Sequence, residues 1–113
     1  MSTPPLTQKT AADLASLFET LSDPTRVRII AVLVEGETGF GELVERIGLS
    51  DSAVSHQLRR LLDKHLIRSR KQGRKVFVSI EDEHVVELFQ RSLDHILHGD
   101  DFIREIKEFE HVS

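Results

Sequence analysis

The stretch that most restricts the fold is residues 40–80, where helical spacing of apolar residues gives way to strand spacing with no long linker between. Residues 40–47 read as a short helix closed by Gly48, which sits where a helix C-terminus favours a left-handed backbone. After Leu49, Ser50 caps a further helix over residues 51–64, with Val54, Leu58, Leu61 and Leu62 as its inward stripe. A short helix, a tight turn and a capped helix form a helix-turn-helix, whose second member is shaped to enter a major groove. Residues 66–71 and 75–80 read as two strands joined at Gln72-Gly73, a hairpin signal because glycine tolerates positive φ. A hairpin directly after such a helix is a wing. The expected class is therefore mainly α with a β-hairpin wing, a winged helix-turn-helix.

Charge points the same way. The chain carries a net charge of −4, yet residues 56–75 hold eight Lys or Arg against the single acid Asp63, a local +7 that leaves −11 for the rest. A basic stripe on an acidic body is the footprint of a phosphate-binding surface, since the local field is what a polyanion meets. A solvated charged face is the commoner explanation of such a run, but here the cations fall on the candidate reading helix and at the hairpin tip. Ser52, Ser55, His56 and Gln57 offer hydrogen-bonding groups where base edges would lie, with Arg59 and Arg60 where phosphates would lie. Arg70, Lys71, Arg74 and Lys75 crowd the tip of the wing, in reach of backbone or minor groove.

The remaining chain supplies helices to pack around this unit. Residues 1–10, rich in Ser, Thr and Pro, read as a flexible arm. Residues 11–21 place Leu14, Leu17, Phe18 and Leu21 on one helical stripe. Asp23 followed by Pro24 at the first helical position opens a helix through Val34, with Val27, Ile30, Ala31 and Val34 inward, and Gly36 ends it. A long final helix over residues 82–98 bears apolar side chains on more than one face, which suits packing on its own domain and on a partner. Gly99 stops it. Residues 11–99 thus read as one DNA-binding and dimerisation domain and residues 100–113 as a short helical tail.

Within the final helix stand Asp82, His84, His95 and His98. At a rise of about 1.5 Å and about 100° per residue, the step from His84 to His95 returns both imidazoles to one face but leaves them roughly 16 Å apart. Metal–nitrogen bonds are only about 2 Å long. If all four side chains serve one ion, the helix must pair antiparallel with its copy, each site taking Asp82 and His84 from one protomer and His95 and His98 from the other.

Composition narrows the chemistry. The 113 residues fit one domain of marginal core size, so a partner copy is expected on stability grounds as well. There is no long apolar run and no basic-plus-apolar leader, so neither a membrane span nor a secretory signal is expected and the cytoplasm is the expected location. Cysteine is absent, which rules out disulfides and thiolate metal sites; any metal must be held by nitrogen and oxygen. No nucleophile, base and orienting residue stand out together, so neither an enzyme nor a small organic substrate is expected.

Three segments resemble one known family. Leu21-Ser22-Asp23-Pro24-Thr25-Arg26, Ser52-Ala53-Val54-Ser55-His56-Gln57-Leu58 and Arg70-Lys71-Gln72-Gly73-Arg74 are similar to the ArsR/SmtB family of bacterial metal-sensing repressors, and the likeness covers nearly all of residues 11–98. It implies a winged-helix homodimer whose first and last helices form the interface and which binds double-stranded operator DNA. The zinc-sensing branch carries Asp-x-His, ten residues, then His-x-x-His or His-x-x-Glu in the last helix, and Asp82, His84, His95 and His98 reproduce that pattern. The resemblance also implies that the carbonyl of His65, at the end of the reading helix, accepts a hydrogen bond from the ligand at His95, a link between metal and DNA-reading helix. The family's other common site uses cysteines, which this chain lacks.

Three imidazoles and a carboxylate form a closed four-coordinate set suited to Zn(II) in a regulatory role, and Co(II) would also fit. Ni(II) prefers six ligands, for which His111 or the N-terminal arm would have to complete the sphere. The function expected is a repressor that binds palindromic operator DNA as an apo homodimer and is released by Zn(II). A nickel or cobalt sensor of the same fold, and a winged-helix repressor with a vestigial metal site, are the alternatives.

Overall fold

The computed structural model describes residues 5–99. Its backbone divides into two compact units, Met1–Asp82 and Glu83–Ser113. The first holds helices α1 (Gln8–Thr20), α2 (Pro24–Val34), α3 (Phe40–Ile47) and α4 (Asp51–Asp63) and strands β1 (Thr38–Gly39), β2 (Ile67–Gln72) and β3 (Lys75–Ile80). The described part of the second is helix α5 (Glu83–Leu97). No helix among the described residues is long and apolar enough to cross a membrane.

Helices α1, α2 and α4 start where a side chain can satisfy their first free amides. Thr7, Asp23 and Ser50 accept hydrogen bonds from the N–H groups of Thr10, Arg26 and Ala53, each at 3.1 Å. The Thr7 cap starts α1 at Gln8, three residues before the segment 11–21 that spacing assigned to it. Pro24 stands at the first turn of α2, where its missing N–H has no role.

The core of the first unit is built from α2, α3, α4 and the sheet. Ile29, Ile30, Leu33, Leu43, Ile47, Val54, Leu58, Leu61, Ile67 and Val78 are all buried. Burying each such side chain stabilises the fold by about 1.5–3 kcal/mol. The inward face of α2 differs from the expectation. Ile29, Ile30, Val32 and Leu33 are buried, whereas Val27 is exposed and Ala31 and Val34 are half-buried. From Val27 to Val34 only Arg28 is polar, so spacing alone could not fix the phase of the stripe. On α4 the expected stripe is buried at Val54, Leu58 and Leu61, with Leu62 half-buried.

The sheet has three antiparallel strands in the order β1-β3-β2, one more than the hairpin expected. The added strand is two residues long, Thr38 facing Val78 and Gly39 facing Phe77, too short to leave a periodic trace in the sequence. Gln72 pairs with Lys75, so the turn falls on Gly73-Arg74 and not on Gln72-Gly73. Gly73 has φ +64° and Arg74 does not share the positive φ, the pattern of a type II′ turn, whose twist suits the flanking strands.

Two left-handed residues bracket α4. Gly48, at φ +80°, ends α3 with its N–H bonded to the Val44 carbonyl and swings the chain into α4. His65, at φ +57°, follows α4; its N–H bonds the Leu62 carbonyl and the Leu66 N–H bonds the Leu61 carbonyl. That is a Schellman closure, and buried Leu61 and Leu66 occupy the positions whose apolar contact accompanies it. It delivers the chain from α4 directly into β2.

Candidate nucleic-acid interface and metal ligands

The helix α4 presents one face outward. Asp51, Ser52, Ser55, His56, Arg59 and Arg60 are exposed, while Val54, Leu58 and Leu61 hold the opposite face in the core. Positions 52, 55 and 59 follow one another at helical spacing, so two hydroxyls and a guanidinium line a single stripe. Ser52 lies 3.4 Å from the capping hydroxyl of Ser50, at the helix N-terminus, where the dipole favours an approaching phosphate. Gln57 is placed differently from its neighbours. It is half-buried, and its Oε1 accepts a hydrogen bond from Nη1 of Arg26 at 2.8 Å.

At the wing, Lys71, Arg74 and Lys75 are exposed around the turn and make no ion pair with any described residue. Arg70 is engaged. Its Nε and Nη2 donate to the two carboxylate oxygens of Glu37 at 2.9 and 2.6 Å, its Nη1 donates to Gln72 at 2.9 Å, and its guanidinium lies 4.7 Å from the centroid of the Phe77 ring. The hydrogen bond from Arg70, helped by the charges of Arg70 and Arg68, holds the Glu37 carboxyl below its ordinary range, and the same pair pushes the Arg70 guanidinium up. In the free protein Arg70 thus braces the wing against the segment before β1 and does not project as an open cation. Glu37, Phe77 and Arg26 escape a reading of the sequence. Glu37 and Arg70 are 33 residues apart, and Arg26 and Gln57 are 31 apart, so no local pattern pairs them.

The metal-ligand candidates lie on and beside α5. His84 and His95 sit near the two ends of one unbroken helix, Asp82 just before it and His98 just after, and all four are exposed. Each of the four takes part in some interaction of its own. Among the described residues of one chain, no three His, Cys, Asp or Glu side chains gather closely enough to hold a metal ion. The helical separation worked out from the sequence therefore applies to the folded chain. His111 and the expected tail helix lie outside the described residues.

Apolar side chains remain uncovered on both units. On α1 Leu14 is 41% and Phe18 52% exposed, and Val27 of α2 is exposed too. On α5 Leu93, Ile96 and Leu97 are exposed, Ile96 to 74%.

Comparison with known proteins agrees with this geometry. The family model described as "Bacterial regulatory protein, arsR family" matches residues 23–69, from the cap of α2 into β2. A transcriptional repressor SmtB homolog of Synechocystis is 38% identical over 80% of this chain and 68% of its own length. A cadmium resistance transcriptional regulatory protein CadC homolog of Staphylococcus aureus is 37% identical over 80% of this chain and 75% of its own. Among solved structures, HlyU of Vibrio cholerae superposes with a TM-score of 0.72 at 29% identity, covering 81% of this chain and 98% of that one. With a capped reading helix, a cationic wing and relatives that are transcription regulators and not enzymes, the chain belongs to the arsR family of bacterial regulatory proteins, as a winged helix-turn-helix DNA-binding repressor.

Proposed function

We propose that the chain acts as a homodimer that binds palindromic operator DNA in its metal-free form and lets go when Zn(II) is held between its two α5 helices. The observation that carries this reading is the continuity of Glu83–Leu97, which keeps His84 and His95 roughly 16 Å apart on one helix. Asp82 and His84 of one protomer with His95 and His98 of the other form a nitrogen and oxygen set of four, the chemistry Zn(II) accepts in a closed tetrahedral site. Such a site would stabilise one arrangement of the two protomers over another. The exposed apolar residues of α1 and α5 support a dimer, since faces of that kind are covered when a second copy packs on them.

On DNA, two α4 helices related by a two-fold axis would enter successive major grooves. Ser52, Ser55, His56 and Arg59 would face base edges and phosphates, with Arg60, Lys71, Arg74 and Lys75 on the backbone. Linkage then makes the coupling mutual: operator must weaken metal binding by the factor by which metal weakens operator binding. The relative named for cadmium resistance points to metal response in the family, and the lack of cysteine turns this chain away from thiolate-seeking ions toward Zn(II), Co(II) or Ni(II).

The test is fluorescence anisotropy of a labelled operator duplex with and without Zn(II). Weaker binding with the metal is expected, with His95→Ala still binding DNA but deaf to zinc. Equal affinities with and without metal would end the sensor reading while leaving DNA binding untouched. Cobalt absorption identifies the coordination number, because four-coordinate Co(II) gives intense visible bands and six-coordinate sites do not.

A further inference from the structure

The two faces of the wing differ. Side chains alternate along a strand, and Ser69 pairs with Val78 while Arg70 pairs with Phe77. Arg70 and Phe77 lie on the face braced by Glu37. Ser69, Val76 and Val78 share the other face, where a cleft of about 300 Å³ lies between them and Ser55, Leu58 and Arg59 of α4. Leu58 and Val78 are buried and make its floor apolar. Ser55, Arg59 and Ser69 are exposed and bring two hydroxyls and a guanidinium to it. None of these three makes an ion pair or a side-chain hydrogen bond with any described residue, and no acidic side chain among the described residues lines the cleft.

We infer that this cleft seats a sugar–phosphate strand of the operator and that Ser69 is a further DNA contact, its hydroxyl donating to the phosphate that Arg59 meets from the other side. This rests on the operator-binding reading above. A sugar–phosphate ridge separates every major groove from the neighbouring minor groove, so a protein with α4 in one and the wing beside it over the other must straddle that ridge. The space between α4 and the wing is this cleft. Its hydroxyls and unpaired guanidinium match phosphate oxygens, and its apolar floor matches the carbon face of deoxyribose. Contacts of this kind set the register of a protein on the duplex and do not distinguish bases.

The experiment uses the full chain and two duplexes, one selected from a random library by the wild-type protein and one of scrambled sequence. Affinities are measured across a range of salt. Ser69→Ala should weaken binding to both duplexes about ten-fold per half-site, the effect of losing one hydrogen bond to a charged group, so the selected-to-scrambled ratio and the salt slope stay those of wild type. Arg59→Ala should flatten the slope by about 0.9 per half-site. Ser79→Ala, on the opposite face of the same strands, should bind as wild type does. The decisive duplexes carry one neutral methylphosphonate in each half-site, moved along the backbone position by position. At one position it should weaken wild-type binding and cut the loss caused by Ser69→Ala several-fold. A Ser69→Ala loss unchanged at every position would show that the hydroxyl meets no phosphate and would overturn the inference. So would a fall in the selected-to-scrambled ratio, which is the mark of a base contact, or an equal loss from Ser79→Ala. A wild-type protein that binds neither duplex would sink the operator reading and the inference with it, whereas the other results touch the cleft alone.

Discussion

Substitutions at the wing should separate cations that meet DNA from one that braces the fold. Each phosphate neutralised contributes about 0.9 to the slope of log affinity against log salt. Lys71, Arg74 and Lys75 are exposed, so replacing any of them with Ala removes one contact per wing, or a slope change of about 1.8 for a dimer with both wings engaged. Over a fourfold rise in salt, that is about a twelve-fold difference in how much affinity is lost. Arg70 already spends two hydrogen bonds on Glu37 and one on Gln72, so Arg70→Ala should leave the slope near its wild-type value. Glu37→Gln removes the competing carboxylate and frees that guanidinium, so it should steepen the slope by up to about 1.8. Anisotropy titrations of one duplex at four or five salt concentrations decide the matter. If Arg70→Ala flattens the slope as Lys71→Ala does, the Glu37 pairing does not survive contact with DNA and the assignment of Arg70 as a brace is wrong.

Glu37 is held below its ordinary range by Arg70, so this pairing is fully present above the carboxylate's unfolded value and is lost as pH falls through the lower folded one. Hydrogen-exchange protection in β2 and β3, taken relative to the intrinsic rate at each pH, should therefore fall in acid, and Glu37→Gln should abolish that dependence. Asp23→Ala removes the cap of α2 and should lower stability by about 1 kcal/mol in urea unfolding. Phe18→Glu places a charge on the uncovered face of α1 and should drive the dimer toward monomer in sedimentation, together with the loss of DNA binding. Cobalt titration should saturate at two ions per dimer, and at none for His84→Ala with His95→Ala combined.

The parts of the fold legible in the sequence are those written in local chemistry. Asp23-Pro24, Gly48 and Ser50 each mark a boundary through a single residue's hydrogen bond or φ, and α3 spans the residues that spacing assigned to it. The phase of α2 was hidden because apolar residues surround that helix almost completely between Val27 and Val34. The shift of the wing turn by one residue arose because Gly73 can occupy either central position of a hairpin turn, and only the pairing of Gln72 with Lys75 decides. The roles of Arg70 and Gln57 depend on Glu37 and Arg26, partners brought up by tertiary folding, so side chains that read as equivalent in a basic or polar run differ in the folded chain.

The order of the sheet has a consequence for solubility. With β3 in the middle, β2 is the outermost strand over most of the wing and offers an unpaired row of amides and carbonyls to any passing chain. Its residues Arg68, Ser69, Arg70, Lys71 and Gln72 are all exposed and mostly cationic, so an approaching copy meets like charge before it can form a ladder. Variants stripped of these cations to weaken non-specific DNA binding would lose that repulsion and should be prone to edge-to-edge self-association.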